Sequence, residues 1–109
     1  MATPMVPEPV ASFWKAVNAH DEQGFLDAFT PEGSVDDWGR IFTGREEIKA
    51  WSDKEFIGAR GRLDIESASE QDGQVTVIGD WKSNYANGRS NFIFEIQGSK
   101  LARMAIREG

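Results

Sequence analysis

Two adjacent carboxylates, Asp36 and Asp37, are the residues whose type and setting best suit chemistry. They lie in Ser34-Val35-Asp36-Asp37-Trp38-Gly39-Arg40, where a short extended run meets a glycine turn. Neighbouring side chains of a strand point to opposite faces, so one acid is expected to face the interior and the other water. A carboxylate walled by aromatic groups has a raised pKa and becomes a better base, suited to removing a proton beside a carbonyl. The same residue type ahead of a glycine turn also serves as an anchor for backbone N–H groups.

Few other residues offer comparable chemistry. His20 is the single histidine and stands beside Asp21, where the first helix should end. A helix C-terminus favours such a side chain through its dipole, and this turn should lie at the surface. One histidine and no cysteine argue against a transition-metal site and exclude thiol nucleophiles and disulfides. No loop has the ligand pattern of a calcium site, and there is no phosphate-cradling glycine loop or nucleophile elbow. No metal and no cofactor are therefore expected.

The elements that must position these groups follow from periodicity. Residues 1–8 read as a flexible arm and residues 9–109 as one domain. Pro9 suits a first helical position, and Val10, Phe13, Trp14 and Val17 form one apolar helical stripe. Asp21 is a plausible N-cap of a second helix that buries Phe25, Leu26 and Phe29 and ends at Pro31 and Gly33. Thr43 and Glu46 have capping-box spacing and start a third helix carrying Ile48 and Trp51, which Gly58 and Gly61 stop.

From Arg62 on, the period becomes two. Turn signals at Asp72-Gly73, Asn87-Gly88 and Gly98-Ser99 divide the rest into four antiparallel strands. The fold class is α+β: a long, twisted antiparallel sheet curled around three N-terminal helices, a cone-shaped barrel with an internal pocket. A two-residue turn at Gly98-Ser99 pairs Gln97 with Lys100. It sets Arg103 opposite Phe94 and so inward, where it could hold a ligand carboxylate or neutralise an interior acid. A bulge there would turn Arg103 out to solvent, and the uneven spacing of Leu101, Met104 and Ile106 favours that orientation.

Composition limits the partners. The chain has 109 residues, 39% hydrophobic and 28% charged, and a net charge of −6, the profile of a globular domain. No basic stripe exists to track phosphates, so nucleic acid and anionic membrane surfaces are not expected partners. The N-terminus has no signal-peptide pattern, and with the lack of cysteine this points to the cytoplasm.

The ordered set of Phe13-Trp14-Lys15-Ala16-Val17-Asn18-Ala19-His20-Asp21, Phe25 to Phe29, Val35-Asp36-Asp37, Gly44-Arg45-Glu46-Glu47-Ile48, Trp51, Val77-Ile78-Gly79-Asp80-Trp81 and Lys100-Leu101-Ala102-Arg103 resembles the nuclear-transport-factor-2-like superfamily. That superfamily includes the SnoaL-like polyketide cyclases and the ketosteroid isomerases, and the likeness spans residues 10–107. It implies a pocket between sheet and helices and a homodimer through the outer sheet face. Ile78 and Ile93 on that face add an independent apolar signal. The resemblance does not imply one reaction.

It places Asp37 where the ketosteroid isomerases carry their proton-shuttling carboxylate. It also places Phe13 and Phe92 where those enzymes carry their oxyanion-hole donors, and phenylalanine donates no hydrogen bond. The expected ligand contacts are Phe13, Trp14, Val17, Trp38, Ile48, Trp51, Phe92, Phe94 and Arg103, with Asp37 as catalytic base. Three functions compete: a cofactor-independent acid–base enzyme acting on an apolar carbonyl compound, a dimeric module binding a small apolar ligand without turnover, and an assembly domain with a filled cone.

Overall fold

A computed structural model describes residues 5–109. Part of the expected arm, residues 1–4, lies outside the described residues, and Val6 packs against the core. Three helices, α1 (Val10–Asn18), α2 (Glu22–Asp27) and α3 (Gly44–Glu55), combine with six strands. These are β1 (Phe29–Asp37), β2 (Arg40–Thr43), β3 (Arg62–Gln71), β4 (Gln74–Lys82), β5 (Gly88–Gln97) and β6 (Lys100–Glu108). Among the described residues no helix is long and apolar enough to cross a membrane.

Local chemistry sets the helix ends. The stripe Val10, Phe13, Trp14 and Val17 is fully or almost fully buried. After α1, His20 adopts a left-handed φ of 56°, while its N–H donates to the Val17 carbonyl and the Asp21 N–H to that of Ala16. This is the Schellman arrangement that usually recruits glycine. The Asp21 carboxylate then caps α2 by accepting from the Gly24 N–H at 3.1 Å. At α3 the reciprocal cap differs from expectation: Glu47, not Glu46, accepts from the Thr43 N–H at 2.9 Å, and the Thr43 side chain makes no cap bond.

The sheet order is β2-β1-β6-β5-β4-β3, with the meander from β3 to β6 antiparallel as expected. Two features depart from the sequence reading. Phe29 and Pro31 begin β1 instead of ending α2, and β1 runs parallel to β6, so the sheet is mixed and remains open. Its concave face buries Val35, Leu63, Val75, Val77, Phe92, Phe94 and Met104 against the helices. This is the α+β cone.

Aromatic rings fill one end of the cone. Phe13 meets Trp14, Phe29 and Phe94 edge to face at centroid distances of 5.0, 5.7 and 5.3 Å, and Phe25 at 5.5 Å. Rings crossed at such angles take the edge-to-face arrangement that aromatic quadrupoles favour, and these rings are buried in the core.

Candidate functional site

The two acids of β1 divide between the faces of the sheet. Val35 is buried in the core, so Asp37 shares its side and Asp36 takes the other. Asp36 does not face water as expected; it is 4% exposed. Arg103 and Arg107 donate to its Oδ2 at 2.5 and 2.8 Å, and the Gly39 N–H donates to Oδ1 at 2.8 Å. The Arg107 hydrogen bond is the main reason its pKa lies below the ordinary 3.8, with burial opposing and Gly39 and Arg103 assisting. Asp36 is thus the anchor of the glycine turn.

Arg103 therefore lies on the outer face, away from the cone interior. The turn pairs Gln97 with Lys100 as expected, but the register slips after Ile96–Leu101, so Glu95 opposes Arg103 and Phe94 opposes Met104. One extra residue on β6 reverses the face of everything beyond it.

Asp37 stands at the edge of a cavity of about 590 Å³ at the open end of the cone. Its Oδ2 accepts from Trp51 Nε1 at 3.1 Å and from Arg40, whose Nη2 also reaches Glu55 Oε1 at 2.5 Å. These contacts raise the Arg40 pKa, the Glu55 hydrogen bond most of all. Both bonds to Asp37 end on Oδ2, and Oδ1 has no protein donor among the described residues.

A row of stacked rings runs along one side, and its last three members, Trp51, Phe56 and Trp81, wall the cavity. Phe42, Trp51, Phe56 and Trp81 follow one another at 5.9, 4.9 and 4.5 Å, with interplanar angles of 27, 26 and 11°. Gly61 makes room for the last of these: a Cβ there would lie 2.1 Å from the Trp81 ring. Phe92 and Ile106 contribute from the sheet.

Trp38 and Tyr85, each 60% exposed, stand at the rim. Trp38 occupies the Trp38-Gly39 turn with a φ of 54°, a strained setting for a bulky residue of the kind that gathers at functional sites. Tyr85 belongs to a loop tied together by Ser83, whose Oγ accepts from the N–H groups of Tyr85 and Ala86 at 3.1 and 2.9 Å.

Of the residues expected at the site, Asp37, Trp38, Trp51 and Phe92 come together at this cavity. Phe13, Trp14, Val17, Ile48 and Phe94 do not reach it; they are buried in the hydrophobic core. Arg40, Glu55, Trp81 and Tyr85 also border the cavity and were not among the expected contacts. For Arg40 a signal existed: a two-residue turn at Trp38-Gly39 sets it directly opposite Asp37. His20 lies elsewhere, its Nε2 3.0 Å from the Gly61 carbonyl. Among the described residues no group of three His, Cys, Asp or Glu side chains is arranged to hold a metal.

No family model matches the chain, and no curated protein matches its sequence. Solved structures do match its shape. A candidate polyketide cyclase from Sinorhizobium meliloti superposes with a TM-score of 0.82 at 19% identity, covering 94% of this chain and 95% of that one. The fold is that of the nuclear-transport-factor-2-like superfamily. A Catenulispora acidiphila protein with a ketosteroid isomerase-like fold, in complex with trimethylamine, gives a TM-score of 0.80 at 17% identity, covering 96% and 88%. A Mycobacterium tuberculosis protein in complex with estradiol-17beta-hemisuccinate gives 0.80 at 19% identity, covering 92% and 90%.

Proposed function

We propose that this nuclear-transport-factor-2-like domain binds a small, largely apolar molecule in the cavity at the open end of its cone, with Asp37 as the polar contact. The observation that carries this reading is Asp37 Oδ1, an acceptor without a protein donor at the edge of an aromatic-walled cavity. Cavities of this volume suit small ligands, for which a few polar groups fix orientation. The two liganded relatives add support from the same fold. Their ligands differ in kind, an amine and a steroid ester, so they do not name the molecule.

Titration with phenol and with estradiol, followed by tryptophan fluorescence, tests this. Saturable binding by at least one probe is expected, and Ser90→Phe, which fills the cavity from β5, should abolish it. Binding that survives Ser90→Phe unchanged would place the ligand elsewhere.

Acid–base turnover with Asp37 as base is the second reading, favoured by the same vacant acceptor. The positions where the ketosteroid isomerases carry oxyanion donors hold Phe13, sealed in the core, and Phe92, so donors would have to come from other lining residues such as Tyr85, Asn87 or Ser90. Exchange of the protons beside the carbonyl of 2-tetralone for deuterium is the direct assay. Under this reading the protein accelerates exchange and Asp37→Asn does not; acceleration retained in Asp37→Asn would remove Asp37 from the role.

We further propose, as the family likeness suggests, that the outer sheet face joins two copies of the chain. Ile41, 54% exposed, and the half-buried Ile78 and Ile93 lie on the sheet face that carries Asp36, which supports this. A solution mass that stays monomeric as concentration rises would contradict it. A cytoplasmic location remains part of this proposal, on the cysteine-free composition alone.

A further inference from the structure

The charges around the cavity carry the ligand question one step further, given that the cavity binds a small molecule at all. Five ionisable side chains belong to lining residues: Asp37, Arg40, Glu55, Arg89 and Glu108. They are not equivalent. Arg89 lies between Gly88 and Ser90 on β5, on the strand face opposite Phe92, and its Nε donates to Glu66 at 3.0 Å, outside the cavity. Its charge is thus directed to the outer face and neutralised there.

Glu108 is the opposite case. It lies two residues beyond Ile106 on β6, on the cavity side of the sheet, and has no ion-pair partner among the described residues. On the cavity side this leaves the carboxylates of Asp37, Glu55 and Glu108 against the single guanidinium of Arg40. Arg40 is already engaged by two of the three, through Asp37 and Glu55. The cavity therefore holds two negative charges in excess, walled by Trp51, Phe56, Trp81 and Phe92 and rimmed by Trp38 and Tyr85.

Such a site discriminates by charge. An anion meets net repulsion, and a neutral apolar ligand gains nothing from the carboxylates. A cation with an apolar body gains from both the acids and the electron-rich faces of indole and phenol rings, and trading hydration for aromatic faces is least costly for an alkylated ammonium, whose charge is spread over methyl groups.

We propose that the cavity selects an organic ammonium: an amine or quaternary ammonium carried on an apolar body. Glu108 and the Asp37–Glu55 pair would supply the opposite charge, and Trp38 and Tyr85 the aromatic faces at the rim.

Isosteric probes test it. Phenyltrimethylammonium and tert-butylbenzene have the same shape and differ in one charge. Titrated against tryptophan fluorescence in low salt, the ammonium should bind at least about 10-fold more tightly. Raising sodium chloride should narrow that preference, and Glu108→Gln should reduce it roughly threefold without loss of fold. Equal or tighter binding of tert-butylbenzene would overturn the ammonium assignment and leave the cavity's ligand-binding role standing. A preference untouched by salt and by Glu108→Gln would overturn the electrostatic origin argued here. Binding of neither probe would overturn the assignment together with the binding role.

Discussion

The two ends of the cone use similar residues in different ways. At the filled end, Phe13 crosses Trp14, Phe29 and Phe94 at interplanar angles of 74, 88 and 69°. At the open end, Trp51, Phe56 and Trp81 lie within 26 and 11° of parallel. The crossed set lies within the buried core, whereas the parallel set borders the cavity together with Phe92, which stands at 60° to Phe56 and Trp81. Similar aromatic residues thus serve as core in one region and as cavity wall in the other.

This contrast fixes the order of expected effects. Phe13→Ala empties the middle of the interlocked set and should cost about 3–5 kcal/mol, lowering Tm by roughly 15 °C or more in a calorimetric scan. A loss under about 1 kcal/mol would mean that the filled end is loosely packed.

Asp36→Asn comes next, with an expected loss of about 2 kcal/mol by urea unfolding at pH 7, since the buried carboxylate holds two arginines and a backbone N–H. Because folding depresses this pKa, its contribution is complete above 3.8 and disappears as pH falls through the lower folded value. The gap between the native protein and Asp36→Asn should therefore narrow in acid; a gap that widened would contradict the assignment.

Asp37→Asn should cost no more than about 1 kcal/mol, because Arg40 keeps Glu55, yet it should weaken ligand binding. Smallest in stability is Trp38→Gly, within about 0.5 kcal/mol, since the exposed ring packs little and glycine accepts the positive φ. It too should lower ligand affinity, and unchanged affinity would remove Trp38 from the site.

The sequence made the fold legible where signals are local. The Val10-to-Val17 stripe, the turns at Asp72-Gly73 and Gly98-Ser99 and the alternation of Phe92 and Phe94 all describe what forms, whereas Asn87-Gly88 is not itself the turn: a loop over 83–87 leads into β5 at Gly88. It hid what depends on distant partners. The parallel pairing of β1 with β6 leaves no local trace, and Phe29 joined a strand because of that pairing. One slipped residue near Ala102 put Arg103 on the outer face, a shift that periodicity suggested through Leu101, Met104 and Ile106 but could not place.

The site was half legible for the same reason. Asp37 and Trp38 follow from the turn, but nothing in composition separates Trp14, which fills, from Trp81, which walls. That difference arises only when helices and sheet meet.

The four tryptophans offer the most direct test that ligand enters the open end alone. Trp38, Trp51 and Trp81 border the cavity, while Trp14 lies in the filled end behind Phe92, at a centroid distance of 4.7 Å. The measurement is the set of indole N–H resonances during titration with phenyltrimethylammonium. The signals of Trp38, Trp51 and Trp81 should move and saturate together while that of Trp14 stays in place. Movement of Trp14 with equal amplitude, or no movement of the other three, would contradict the account.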